Sequence, residues 1–250
     1  MGAGPLSSCH EEGRAVKIGI VMALKEEART LLPGKALRSN LTIHLGETLA
    51  LRICGMGPAS AEKAACILLS EGALGLVSYG LAGGLLPGLA PGTLLLPKGV
   101  LFLEKTHFTD VAWRARILQR LVPQMNPVEE LLLTLMKPVS SVQDKAHLHR
   151  ETGAVAVDME SGAVLAAAAT AGVPGLVLRS VVDPAEMSLP RAVLGRVDRQ
   201  GQPRLSAVIQ SLLLHPWEVT ELFRLRIHFI SAVESLRQAW LHLGPEGLMP

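Results

Sequence analysis

Three carboxylates stand in apolar surroundings in the stretch 154–183, AVAVDMESGAVLAAAATAGVPGLVLRSVVD. An apolar approach runs into Asp158-Met159-Glu160, a small-residue helix follows, and an apolar strand over 176–182 ends on Asp183. Doubly wound sheets bind ligands at the carboxyl ends of their strands. Carboxylates there are costly to desolvate and belong to the groups whose protonation is tuned for function. Helix capping explains one acid at each place. It does not explain both Asp158 and Glu160 flanking Met159 within an apolar run.

Other residues around this segment carry weaker signals. Gly55-Met56-Gly57-Pro58 lies between a strand and a helix, where glycines allow close backbone approach and the helix start favours an anion. An ordinary two-glycine turn explains it equally simply, and with Ser60 in place of a third glycine it is not a dinucleotide fingerprint. Gly80-Leu81-Ala82-Gly83-Gly84 follows an apolar strand and reads as a second glycine turn, with amides facing a ligand or with a purely structural role. Glu26 and Glu27 follow the first strand, where acids complement a helix dipole. His147 and His149, with Lys145 and Arg150, read as a solvated helix face, and their spacing of two disfavours a metal site. Ser161 and Ser180 lack a nucleophile-elbow setting.

The elements that must position these groups alternate between apolar strands and helices. Strands are expected over 17–24, 41–44, 47–54, 74–79 and 93–103, with a short one at 139–142 and others at 154–157 and 176–182. Helices are expected over 25–32, 59–70, 112–121, 128–136, 144–152, 205–214 and 216–243, with a punctuated loop over 189–203. This pattern predicts an α/β fold, a three-layer α/β/α sandwich on a mixed central sheet. Residues 1–15 read as a loose tail and 16–250 as one domain, with helices 205–243 part of it.

Composition narrows the function classes. At 49% hydrophobic and 18% charged, the chain is too apolar for disorder. With four Phe, three Trp and one Tyr it lacks an aromatic stacking platform, and a net charge of +2 without a basic run argues against nucleic acid as partner. Cys9, Cys54 and Cys66 form neither a disulfide framework nor a zinc spacing. With no signal peptide or spanning segment read in the chain, a cytoplasmic location is expected.

Taken in order, IGIVMALKEE (18–27), CGMGPASAEKAA (54–65), YGLAGGLLPGLAPGTLLLP (79–97), VAVDMESGAV (155–164) and LRSVVDPA (178–185) resemble the nucleoside phosphorylase and methylthioadenosine/S-adenosylhomocysteine nucleosidase superfamily. The hopanoid-associated phosphorylase group is the nearest branch, and the resemblance covers about residues 17–190. It implies a homo-oligomer that cleaves the N-glycosidic bond of an adenosyl-type nucleoside, adenosylhopane in that branch, without a cofactor. Residue by residue, it implies Asp183 as the purine acid, Glu160 on the ribose hydroxyls and Met159 under the sugar, with Asp158 beside them in the substrate-binding set. It also implies Glu27 as the acid orienting an attacking water, with Gly57 and the run Gly80, Leu81, Ala82, Gly83 near the nucleophile. The chemistry agrees: an oxocarbenium-like sugar wants a nearby carboxylate, and the leaving purine wants a proton from a buried acid.

Three positions depart from the nucleosidase pattern. Asp158 stands where Glu is common, Val182 where Ser precedes the purine acid, and Leu81 where Ser contacts the nucleophile. No arginine lies in a glycine loop as a phosphate fork, leaving Arg29, Arg52 or a neighbouring subunit's arginine to serve. Water and inorganic phosphate therefore both stay open as nucleophile. Near the C-terminus, Phe223, Leu225, Ile227, Phe229 and Ile230 alternate with Arg224, Arg226 and His228. That helix covers the sheet or an oligomer contact, or it meets a membrane surface to reach a lipid-linked nucleoside.

Overall fold

The computed structural model describes residues 18–190 and 218–250. The expected tail over 1–15, the helix over 205–214 and most of the loop over 189–203 lie outside the described residues. The chain runs β1 (Ile18–Met22), α1 (Lys25–Leu31), β2 (Thr42–Leu45), β3 (Leu49–Ile53), α2 (Pro58–Ser70) and β4 (Leu76–Gly84). It continues with β5 (Leu94–Leu95), β6 (Gly99–Phe102), β7 (Lys105–Phe108), α3 (Val111–Leu121), β8 (Leu132–Thr134) and α4 (Val142–Thr152). It ends with β9 (Ala156–Asp158), α5 (Ser161–Ala171), β10 (Gly175–Asp183) and α6 (Glu218–Gly247).

The strands form one mixed sheet in the order β2-β3-β1-β4-β9-β8-β6-β7, with β10 joined to β4 and β5. β1, β3, β4 and β10 are parallel neighbours, all buried, which is why they read as continuous apolar runs. Helices α1, α3 and α6 pack their Leu, Ile and Trp side chains on one face, and α2 and α5 press alanines on the other. The expected α/β/α layering on a mixed sheet is what forms.

Four local expectations fail for identifiable reasons. Residues 80–84 are not a turn: they continue β4, because that strand pairs with β10 through Gly83 and then with β9 at Gly83 and Gly84. Residues 128–136 contain a strand, not a helix. The short run between Pro127 and Pro138 is bracketed by β6 and β9, and periodicity alone cannot separate a buried strand from a buried helix there. The strand over 93–103 is split at Pro97 into β5 and β6. The hairpin to β7 was not foreseen, since Leu103 and Glu104 carry the positive φ angles (48° and 61°) that asparagine and glycine usually signal. The short strand expected at 139–142 does not form: residues 139–141 are irregular, and Val142 opens α4 behind a Ser141 cap that accepts from Asp144 N.

Helix α6 is built into the core. Ala232, Leu236, Ala239 and Leu243 are buried along one stripe, Tyr79 Oη donates to Leu236 O, and Trp113 Nε1 donates to Leu248 O. The helix breaks at Gly244 before Pro245. Among the described residues, no helix is long and apolar enough to cross a membrane.

Close packing between layers sets strict limits at one glycine. A Cβ on Gly162 of α5 would stand 2.4 Å from Phe102 Cβ, an atom next to backbone that cannot swing aside. Gly162→Ala is expected to destabilise the protein by about 1–3 kcal/mol, read as a lower urea midpoint at unchanged slope.

Candidate active site

The carboxyl ends of β1, β4, β9 and β10 converge on a cavity of about 410 Å³, within the usual range for small-molecule sites. Glu27, Leu81, Ala82, Gly83, Asp158, Met159, Glu160 and Asp183 all line it. Gly57 and Gly80 do not line it but support residues that do.

Each acid is held by its local fold. Glu27 is the third residue of α1, and its Oε2 accepts from Ala23 N and Leu24 N, both at 2.8 Å. This is the glutamate half of a capping box, with no return bond because the Leu24 side chain has no acceptor. Its Oε1 accepts from Leu81 N at 3.0 Å, tying α1 to β4. Its neighbour Glu26 instead faces outward and pairs with Arg29. Glu160 Oε1 accepts from Gly57 N at 2.9 Å, across the start of α2. Asp158 accepts from Thr134 Oγ1 at 2.5 Å and from Ser161 N at 3.0 Å, the amide that opens α5. Thus the amides of Gly57 and Leu81, expected to face a nucleophile, are committed to Glu160 and Glu27.

Arg179, 1% exposed in the middle of β10, joins these acids. Its Nη2 reaches Asp158 Oδ2 at 2.8 Å and Ser78 Oγ at 2.7 Å. Its Nη1 reaches Leu81 O at 3.2 Å and Glu160 Oε2 at 3.5 Å, and Nε donates to Ser161 Oγ at 3.0 Å. The guanidinium has five N–H groups, and five partners surround them. The β10–β4 register pairs Arg179 with Gly80, where a Cβ would stand 2.4 Å from Glu27 Oε1 and 2.6 Å from Arg179 Nη1. Gly80 is therefore a strand residue that makes room for the Glu27 carboxylate and the Arg179 guanidinium. A bulge at Val182 then sets Asp183 beside Gly83 instead of Gly84.

Burial governs the protonation of these groups. Desolvation pushes Glu160 up to about 7, helped by the charges of Asp158 and Glu27 and opposed by Arg179. Burial also raises Glu27, against Arg179 and its three amide bonds. Asp183 is pushed up to about 6 by burial, opposed by Lys145. For Arg179, burial works against the charge, but Asp158, Glu160 and Glu27 outweigh it and hold it above its ordinary value. Cys54 is pushed up to about 12, mainly by burial, so it is a neutral thiol and no nucleophile.

Sequence reasoning missed Arg179 and Lys145. Arg179 carried the same signal as the acids, a charge inside an apolar strand. Lys145 carried none: its helix reads as polar and solvated, yet the side chain is wholly buried against Asp183. Arg29 and Arg52, the candidate phosphate arginines, instead pair with Glu26 and with Thr42, Asn40 O and Glu71. Among the described residues, no group of three or more His, Cys, Asp or Glu is arranged to hold a metal.

A family model for the phosphorylase superfamily matches residues 17–214. The chain belongs to this superfamily. Membership sets it among nucleosidase- and phosphorylase-type enzymes. Comparison with curated proteins gives no match. Among solved structures it is similar to futalosine hydrolase of Helicobacter pylori strain 26695 (TM-score 0.67, 18% identity, covering 91% of this chain and 97% of that one). The methylthioadenosine/S-adenosylhomocysteine nucleosidase of S. pneumoniae, solved with the transition-state inhibitor MT-ImmA, aligns at TM-score 0.68 and 19% identity over 91% of this chain and 97% of that one. The Helicobacter pylori nucleosidase D198N mutant with 5′-methylthioadenosine aligns at TM-score 0.65 and 19% identity over 91% and 99%. At these identities the likeness is one of fold.

The arrangement predicts a pH-dependent cost for losing Arg179. Arg179→Met leaves buried carboxylates uncompensated, an expected loss of about 3–5 kcal/mol at neutral pH. Without the cation their folded-state pKa values rise further above the unfolded ones. The acids then favour folding when protonated and oppose it as pH rises. Urea unfolding should show the loss largest at pH 8 and shrinking towards pH 5.

Proposed function

We propose that this protein is a nucleosidase that hydrolyses the N-glycosidic bond of an adenosyl-type purine nucleoside and releases adenine. The observation that carries the reading is how the donors are engaged: Arg179 makes three hydrogen bonds and two ion pairs with neighbouring oxygens, and the Gly57 and Leu81 amides donate to Glu160 and Glu27. A phosphate nucleophile needs free donors. Among the described cavity-lining residues, the remaining cation is Lys137, which is exposed. A water is instead suited to Glu27, a raised, firmly held carboxylate that can orient it and take its proton.

In this reading Asp183 protonates N7 of the departing purine, and its pKa of about 6 keeps a proton within reach near neutrality. Glu160 accepts hydrogen bonds from the ribose hydroxyls, and Met159 packs beneath the sugar. The carboxylates around Arg179 favour the positive charge that develops on the ribose. Asp158 holds Arg179 and the start of α5 in place, which leaves it a supporting part. The enzyme is cytoplasmic, a homo-oligomer, and needs no cofactor.

The substrate's 5′ substituent is apolar in this reading. Leu24, Met56, Val139, Leu189, Leu225 and Phe229 line the cavity without a formal charge among them. Adenosylhopane, which the resemblance to the hopanoid-associated group suggests, fits such a wall, and 5′-methylthioadenosine is the smaller competitor. Exposed Phe223, Ile227 and Ile230 lie one turn apart on α6, beside exposed Arg224 and Arg226, as a peripheral membrane contact would require.

Asp183→Asn is expected to lower adenine release by roughly 10²–10⁴-fold in the folded protein, with some loss of stability because buried Lys145 loses its carboxylate; full activity in a folded variant refutes the proton-donor role. Incubation of adenosine, methylthioadenosine and an adenosyl lipid, each with and without phosphate, should give free ribose products in both conditions by mass. Ribose phosphate appearing only with phosphate overturns the hydrolytic reading. For the membrane contact, replacing Phe223, Ile227 and Ile230 together with Ser should abolish flotation with anionic liposomes, and equal flotation of parent and variant rejects it.

A further inference from the structure

One buried charge has no part in the chemistry described so far. Lys145 lies on α4, and its side chain is wholly shielded from solvent. Its Nζ donates to Asp183 Oδ2 at 2.5 Å, to Pro184 O at 2.8 Å and to Met187 O at 2.9 Å. An ammonium has three donors and no acceptor, so these bonds exhaust it and none remains for a ligand. Lys145 is therefore not a substrate-binding cation. What the three bonds do is mechanical and electrostatic at once. One seizes a single oxygen of the acid at the end of β10, leaving the other oxygen for a base in the cavity. The other two draw the backbone after β10 onto the same point, and that segment leads to Leu189 in the cavity wall.

We propose that Lys145 is a positioning residue for Asp183, fixing which carboxylate oxygen faces the substrate and fastening the 184–187 segment that leads to Leu189 in the cavity wall. What Asp183 does chemically rests on the nucleosidase reading; the pairing does not. Among the described residues, Lys145 is the charged group that faces Asp183 from α4. β4 presents uncharged Gly83, while Glu27, Asp158 and Glu160 stand around Arg179. Burial raises Asp183 and the ammonium opposes that rise. Removing the ammonium must therefore move the titration of Asp183 upward, by about 1–3 pH units for a close opposite charge.

The test uses the full chain with ¹³C-labelled aspartate, the Asp183 resonance being assigned by its loss in Asp183→Asn. In Lys145→Met the Asp183 carboxyl should titrate about 1–3 units higher than in the parent. Adenine release at pH 7 should fall on the order of 10²-fold from mispositioning, with its alkaline limb shifted upward in step. In Lys145→Ala, which lacks the propylammonium portion of the side chain, added n-propylammonium should restore activity and n-propanol should not. An unmoved Asp183 titration in folded Lys145→Met, or indifference of Lys145→Ala to the amine, overturns the proposal. If the parent itself releases no adenine from any nucleoside offered, the functional reading fails, and the carboxyl titration still decides the role of Lys145.

Discussion

The guanidinium of Arg179 is the interaction on which the rest of the site depends. A single buried cation meets Asp158 and Glu160 directly and acts through space on Glu27. Those acids come from the end of β9, the start of α5 and the first turn of α1, elements distant in sequence. Each alone would bear a large desolvation cost, and one shared cation offsets part of it for all. Such a cluster tolerates no looseness, because a displaced partner exposes an uncompensated charge. This explains the glycine at 80, where a methyl group would intrude between Glu27 and Arg179.

The same saturation shapes the chemistry. Oxygens that already accept backbone amides cannot rotate towards a ligand, so the acids are preorganised before substrate arrives. Their pKa values are lifted by burial, yet a cation restrains each rise: Arg179 for Glu27 and Glu160, Lys145 for Asp183. Two separate cations serving two sets of acids suit the proposed division of labour between the sugar and the base. The bulge at Val182 contributes by setting Asp183 beside Gly83, one position from where a regular strand would leave it.

Helix α6 links this polar centre to the apolar wall. One stripe, from Ala232 to Leu243, belongs to the core, and earlier in the helix Leu225 and Phe229 reach the cavity. The outer stripe through Phe223, Ile227 and Ile230 stays uncovered in the single chain. Because the inner stripe is core, the helix is an integral layer and not a detachable appendage.

Much of this was legible in the residue order. Apolar runs with acids at their ends marked β9 and β10 and singled out Asp158, Glu160 and Asp183, which the structure brings to one cavity, because the cost of a misplaced charge is local and visible in any window. The helices expected over 25–32, 59–70 and 144–152 stand close to α1, α2 and α4. What the order could not reveal depends on pairing between distant segments. Residues 80–84 look like a turn until β10 and β9 pair with them, and 128–136 looks helical until β6 and β9 enclose it. Lys145 looks solvated until α4 docks over Asp183. The sequence alone determined which acids are buried. Only the tertiary structure decided which cations balance them and which donors remain free, since charge compensation acts across space and leaves no periodic trace along the chain.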